Sequence, residues 1–130
     1  MAPRRESRER ALGLCYESEV REVEPLGILE GLPTKPDEYA LQLFEGVYEN
    51  REAIDKYLTE FSQNWSLERM PVIDRCILRI AAYELLFAEE VPTAVAISEA
   101  VDLAKQYSTK DSGRFVNGLL ARVASEVRAS

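Results

Sequence analysis

The sequence predicts an all-α protein: one compact helical domain of about seven helices spanning residues 1–130, with residues 1–10 an arginine-rich N-terminal segment. Three observations lead there. Apolar residues recur at spacings of three and four along nearly the whole chain, the signature of helices with one buried face. The strand signature, β-branched residues alternating with polar ones, is missing. Prolines and glycines gather in a few short stretches that divide the periodic segments. A chain of 130 residues fits a single domain and is long enough to bury a core without disulfides.

The first helix is expected over residues 4–23, where Leu12, Cys15, Tyr16, Val20 and Val23 make one stripe. Residues 24–36 form a connector whose Pro25, Gly27, Gly31, Pro33 and Pro36 interrupt helix. Its Leu26, Ile28, Leu29 and Leu32 either cover the core or join two copies into a homodimer. A second helix starts near Asp37, a suitable N-cap, and runs to residue 49 with Leu41, Phe44, Val47 and Tyr48 inward. A third covers residues 51–63 with Ile54, Tyr57, Leu58 and Phe61. In the segment 64–71, opened by Asn64 and Trp65, Ser66 caps a short turn and Pro71 suits the first turn of the next helix. That helix, residues 72–88, is apolar nearly all round, as central helices are. Its charges Asp74, Arg75, Arg79 and Glu84 each need a partner or an exit to the surface. Val91-Pro92 breaks the chain, and Thr93 caps a helix with Glu99 and Asp102 toward its start and Lys105 toward its end, the order the helix dipole favours. Asp111 or Ser112 caps the last helix, which runs to about Arg128.

Composition narrows the function classes. There is no histidine, which removes imidazole acid–base catalysis, Ser-His-Asp and Cys-His nucleophiles, and most zinc sites. The six glycines are scattered and form no phosphate-cradling loop. Cys15 and Cys76 have no CxxC spacing and sit within helical apolar patterns, as buried thiols of a reducing cytoplasm do. No apolar run approaches the ~20 residues that span a bilayer, and no apolar region follows the N-terminal arginines to make a secretory signal. No enzyme activity and no cofactor are expected. The net charge is −7, which opposes non-specific nucleic-acid binding, so any RNA contact requires a local basic patch or a basic partner.

Two constellations carry chemistry. Arg4, Arg5, Arg8 and Arg10 open the first helix, and the first three fall within about a third of its circumference, on an arc that overlaps the apolar stripe. Unpaired arginines do not continue a buried stripe, so the first turns are expected to project past the core and offer guanidinium forks to phosphate or to exposed bases. The alternative is a solvated tail partly neutralised by Glu6 and Glu9. In the last helix, Val116, Leu119, Leu120, Val123 and Val127 share one face, while Asp111, Phe115, Gly118 and Arg122 share a strip about 100° away. Phe115 beside Arg114, with Lys105 and Lys110 near, suits stacking on an unpaired base. The alternative is that Gly118 admits another helix and Phe115 packs against it.

These residues carry a resemblance. Arg-Arg-x-x-Arg followed by Ala11-Leu12 and Tyr16, then Asp74-Arg75-Cys76-Ile77-Leu78-Arg79 with Tyr83-Glu84-Leu85, Val91-Pro92 with Ala96-Ile97-Ser98-Glu99-Ala100, and Phe115-Val116-Asn117-Gly118 resemble the NusB family from about Arg4 to Val123. The resemblance implies an all-helical, non-catalytic factor in transcription antitermination. It implies binding to the single-stranded boxA element of ribosomal RNA leader transcripts, together with the ribosomal protein NusE, within the transcription elongation complex. It puts Arg4, Arg5, Arg8, Arg10, Tyr16, Asp111 and Phe115 in the RNA surface, with Lys110 and Arg114 as neighbours. It faces Asp74, Glu68 and Glu84 toward NusE, which would account for the charges on the central helix. Ser98 stands where the family usually has asparagine, and a local packing adjustment is expected there.

Two other readings remain. One is a helical protein–protein module without RNA binding, supported by the acidic balance. The other is the NusB-like front domain of a ribosomal RNA cytosine methyltransferase, which needs a second domain with a cofactor-binding glycine loop that this sequence does not contain.

Overall fold

The computed structural model describes residues 3–63 and 66–128. These residues form seven α-helices and one 3₁₀ turn: α1 Arg4–Arg21, α2 Pro25–Glu30, α3 Glu38–Glu49, α4 Arg51–Phe61, the 3₁₀ turn Leu67–Arg69, α5 Val72–Phe87, α6 Thr93–Tyr107 and α7 Lys110–Val127. The protein is all-α, and no strand occurs among the described residues.

Helix α5 is the axis of the fold. It packs against α1, α3, α4, α6 and α7, as its all-round apolar sequence requires. Ile77, Leu78 and Ala82 are fully buried along it. Around it, Leu43 and Phe44 of α3, Ile54 and Leu58 of α4, and Val116, Leu119, Leu120 and Val123 of α7 complete a single core. Where α3 crosses α5, Gly46 lies under Tyr83, and a Cβ there would come within 2.6 Å of the ring's Cζ. The close approach of the two helices therefore depends on glycine. Cys15 and Cys76 are buried free thiols. Burial pushes the Cys76 thiol up to about 11 and the Cys15 thiol higher still, so neither is a nucleophile at neutral pH.

Element ends differ from the sequence expectations in instructive ways. Helix α1 stops at Arg21, because Glu22 turns left-handed (φ 55°) and the Val23 N–H bonds back to the Ser18 carbonyl. The connector contains a short helix whose Ile28 is buried, with Leu29 and Leu32 packed on the core, while Leu26 stays 67% exposed. The connector thus covers the core. Asp37 caps α3 as expected, its carboxylate accepting from the Ala40 N–H at 3.1 Å. Helix α4 ends at Phe61. Ser66 precedes the 3₁₀ turn but its side chain makes no capping bond, and Asn64 and Trp65 lie outside the described residues. Pro92, not Thr93, is the N-cap of α6. Thr109 caps α7, its hydroxyl accepting from the Ser112 N–H at 3.0 Å. Asp111 and Ser112 are already helical. Thr109 takes the role because it holds the extended backbone that a cap needs.

One anchor was invisible in the sequence. Arg128, just past α7, folds back over the C-terminal end of α5 and uses all five guanidinium N–H groups. They reach the carbonyls of Glu84 (2.9 Å), Leu85 (2.9 Å), Ala88 (3.1 Å) and Val91 (2.8 Å) and the Thr93 hydroxyl (3.2 Å). A helix ends with carbonyls that lack intrahelical donors and carry partial negative charge. Arg128 brings charged donors to this end, to the Leu85 and Val91 carbonyls and to those of Glu84 and Ala88, which also accept from the Ala88 and Val91 N–H groups. Its partners in sequence lie 35 to 44 residues away, so no local pattern announces it.

Candidate nucleic-acid interface

The N-terminal arginines do not project past the core. Arg8 and Glu84 form an ion pair inside the protein, with side chains 5% and 1% exposed and Arg8 Nη2 2.9 Å from Glu84 Oε2. Arg8 Nε donates to both Glu84 oxygens at 3.1 and 3.0 Å, and the Tyr39 hydroxyl donates to the same carboxylate. Burial is the largest influence and works against the Arg8 charge, but the hydrogen bonds and charge of Glu84, with Tyr39 and Glu99, together outweigh it and keep the guanidinium's pKa raised. Burial, and then Glu84, push the Tyr39 phenol upward. Arg8 and Glu84 are therefore buried partners of each other, not side chains on an open surface. Each compensates the other's buried charge.

The remaining arginines keep exposed side chains while touching neighbours. Arg5, 62% exposed, bonds Asp102 at 3.0 Å and chelates Glu99. The hydrogen bond from Arg5 holds the Glu99 carboxyl below its ordinary range. Arg4 lies over the Tyr39 ring with Cζ 4.0 Å from the centroid, and Arg10 donates to the Thr34 carbonyl at 3.0 Å. Neither the projecting helix nor the free tail describes this arrangement, because acceptors from α3, α5, α6 and the connector gather around α1.

The other charges of α5 also find internal partners. Arg79 bonds Asp55 through Nε at 2.9 Å and Glu19 at 3.3 Å. Arg75 donates to the carbonyls of Leu67 and Glu68 at 3.2 and 3.4 Å. Asp74 is buried, and its Oδ2 accepts from the Ser112 hydroxyl at 2.9 Å, tying α5 to α7. Its Oδ1 has no hydrogen-bond partner among the described residues. Asp74 sits in the first turn of α5, where a carboxylate would reach back to the N-cap N–H, but the N-cap is Pro71, which has no N–H. Partial positive charge at the helix start still favours the carboxylate. Arg75, Arg79 and Glu84 have internal partners and Asp74 has one on a single oxygen, and of the three acidic residues expected at the partner face Glu68 is exposed.

In the last helix, Val116, Leu119, Leu120 and Val123 are buried as one face. Lys110, Asp111 and Arg114 are exposed, and Phe115 is half-buried against the core edge. Arg122 is spent elsewhere, donating to the Phe61 carbonyl at 2.9 Å. A Cβ on Gly118 would meet only the Arg122 guanidinium, at 3.5 Å, so no second helix docks there. Ser98 is exposed and its hydroxyl bonds the Val95 carbonyl of its own helix at 3.4 Å.

Two clefts meet at Pro71. One, of about 510 Å³, is lined by Arg69, Met70, Asp74, Ser108, Asp111 and Phe115 among others. The second, of about 500 Å³, lies between α1, the start of α5 and the end of α6, with Tyr16 and Tyr107 on its walls. The tyrosines are 43% and 47% exposed. Tyr16 was expected at the surface. Tyr107 was missed, since from sequence it reads as the last apolar residue of α6.

Comparison with known proteins completes the description. Residues 5–125 match the NusB family. The transcription antitermination protein NusB of Kineococcus radiotolerans is 46% identical over 128 residues, covering 95% of this chain and 94% of that protein. That of Pseudarthrobacter chlorophenolicus is 46% identical over 127 residues, covering 95% and 93%. Among solved structures, T. maritima NusB superposes with a TM-score of 0.87 at 38% identity, covering 96% of this chain and 92% of that one. A chain from the crystal structure of antitermination factors NusB and NusE in complex with double-stranded RNA superposes with a TM-score of 0.82 at 26% identity, covering 95% and 96%. Sequence, helix order and three-dimensional arrangement agree over nearly the whole length, and the chain belongs to the NusB family.

Proposed function

We propose that this chain is a transcription antitermination factor that binds the single-stranded boxA element of ribosomal RNA leader transcripts together with NusE, within the transcription elongation complex. The observation that carries the reading is the strip of surface running from Tyr16 over Pro71 to Phe115. It joins two clefts, one walled by the exposed Tyr16 and Tyr107 and the other by the half-buried Phe115. Arg69, Lys110 and Arg114 are exposed at the Phe115 end. On a protein with net charge −7, aromatic clefts with local cations suit unpaired bases joined by phosphates. Likeness to a NusB solved with NusE and double-stranded RNA supports the coarser part of the reading, binding to RNA and NusE.

Arg4, Arg5, Arg10, Tyr16, Lys110, Asp111, Arg114 and Phe115 are the proposed RNA residues. Arg8 supports them from inside. The acidic surface, Glu68 included, favours a basic protein partner by charge complementarity. Labelled boxA RNA titrated with this chain, alone and with NusE, at two salt concentrations tests the proposal. Binding that weakens with salt, strengthens with NusE and is lost on a scrambled RNA is expected. Phe115→Ala should cost about 1–3 kcal/mol of RNA binding. A folded chain that binds neither RNA under any of these conditions would refute the proposal and leave a protein-interaction module.

A further inference from the structure

Arg5 lies about three helical turns along α1 from Tyr16 and on the same side of the helix. Glu9 lines both the cleft beside Tyr16 and a smaller one beside Arg5, so a strand leaving the first along the line where α1 meets α6 runs onto Arg5. The guanidinium there is partly engaged. Its Nε–H and one Nη2 N–H go to the two oxygens of Glu99, at 3.2 and 2.5 Å, and the second Nη2 N–H goes to Asp102 at 3.0 Å. Nη1 has no acceptor among the described residues. One edge of the fork is thus filled by Glu99, and the outer edge, Nη1 with Nη2, is half filled by Asp102. The two carboxylates are not equivalent. The Glu99 side chain is 14% exposed and also receives Arg8 at 3.4 Å. That of Asp102 is 53% exposed, with Arg5 as its partner. Arg8 already balances Glu84 and Arg5 balances Glu99, so Asp102 is the carboxylate in excess.

We infer that Glu99 is a positioning residue that aims Arg5 at the strand, and that Asp102 holds the place of an RNA phosphate on the outer edge of the Arg5 fork until RNA displaces it. The inference rests on the RNA-binding function proposed above. Carboxylate and phosphate each present a pair of oxygens to a guanidinium fork, so an edge that binds one binds the other. Displacing Glu99 would strand a largely buried carboxylate and take a partner from Arg8, which is costly. Displacing Asp102 returns an exposed carboxylate to water, and exposed ion pairs are weak. An incoming phosphate therefore takes the Asp102 position. On an acidic protein this internal competitor favours a strand that is also held in the neighbouring aromatic cleft over a polyanion that offers charge alone.

The test is the affinity of charge variants for labelled boxA RNA, measured by anisotropy at two salt concentrations. Asp102→Asn is expected to tighten binding about threefold at low salt and less at high salt, because an exposed pair is screened. In an Arg5→Met background the same change should give no gain. Arg5→Met itself should weaken binding and lower the salt slope by about 0.7, the share of one phosphate on a single strand. Glu99→Gln should weaken binding although it too removes a negative charge. A gain from Asp102→Asn that survives in the Arg5→Met background would show general repulsion and overturn the assignment of Asp102. Tighter binding in Glu99→Gln would overturn the positioning role. Asp102 is exposed, so Asp102→Asn keeps the fold and the test stands even if Glu99→Gln unfolds. No gain in Asp102→Asn, with Phe115→Ala still weakened, would overturn the phosphate position and leave the RNA function standing. A wild-type chain that binds no RNA would remove that function and the inference with it.

Discussion

Replacing Glu84 by glutamine changes one charge in the centre of the protein while keeping shape. In the native protein this carboxylate receives three contacts of 2.9 to 3.1 Å from Arg8 and the Tyr39 hydroxyl besides. The amide oxygen of glutamine can still accept, but the guanidinium keeps its charge with only Glu99, at 3.4 Å from Nη1, left to compensate. Removing one member of a buried pair costs about 3–5 kcal/mol. The surviving contact to Glu99 and the absence of a cavity put Glu84→Gln near the lower end, about 3 kcal/mol. For a domain of this size that is a drop of roughly 10–15 °C in Tm. Urea denaturation followed by far-ultraviolet circular dichroism measures it as a shift in midpoint at constant slope. Adding Arg8→Met removes the stranded charge, so the double variant should recover part of the loss, with a coupling of about 1–3 kcal/mol. A loss under about 1 kcal/mol in Glu84→Gln, or strict additivity in the double variant, would refute the assignment of Arg8 to the interior. The consequence for function is direct. Under the proposed RNA binding, an Arg8 variant is expected to act through the seating of α1, because the Arg8 side chain is 5% exposed.

Three further outcomes follow from the same geometry. Arg128→Ala should cost about 2–3 kcal/mol, because four carbonyls around the end of α5 lose charged donors; Arg128→Lys should restore only part, since an ammonium has three donors to offer, and an unchanged midpoint in the alanine variant would show that water replaces the cap. Gly46→Ala should destabilise by about 1–3 kcal/mol through the Tyr83 ring, whereas stabilisation would mean that α3 and α5 separate easily. Acid should act on Glu99 and Asp37. Arg5 holds Glu99 below its usual 4.5, and at Asp37 the bonds from Ser7 and the Ala40 N–H overcome burial to hold it below 3.8. A carboxyl whose folded pKa is depressed contributes stability above its unfolded value and loses it as pH falls through the folded one. Urea midpoints should therefore be flat above pH 4.5 for these two groups and fall below it, and Arg5→Met should flatten the fall. An identical acid profile in Arg5→Met would remove Arg5–Glu99 from the account.

Local pattern determined much of this protein. The spacing of Leu119, Leu120 and Val123 determined the buried face of α7, and the nearly all-round apolar sequence of α5 determined that it would be central. Asp37 determined the start of α3, because capping is a bond between residues three apart. The motifs from Arg4 to Gly118 pointed to the family. Tertiary structure alone decided what the charges do. Arg8 and Glu84 are 76 residues apart in the chain, and the spacing that puts arginines on one arc is the same whether that arc faces phosphate or a buried carboxylate. Arg122 looks like a neighbour of Phe115 along the helix, but its guanidinium reaches the end of α4. Nothing local marks Tyr107, whose hydroxyl donates to Glu9, 98 residues away in the chain. Periodicity fixes which side of a helix is apolar, because it is set by 3.6 residues per turn. It carries no record of which distant side chain offers the charge, the hydrogen bond or the empty space on the other side.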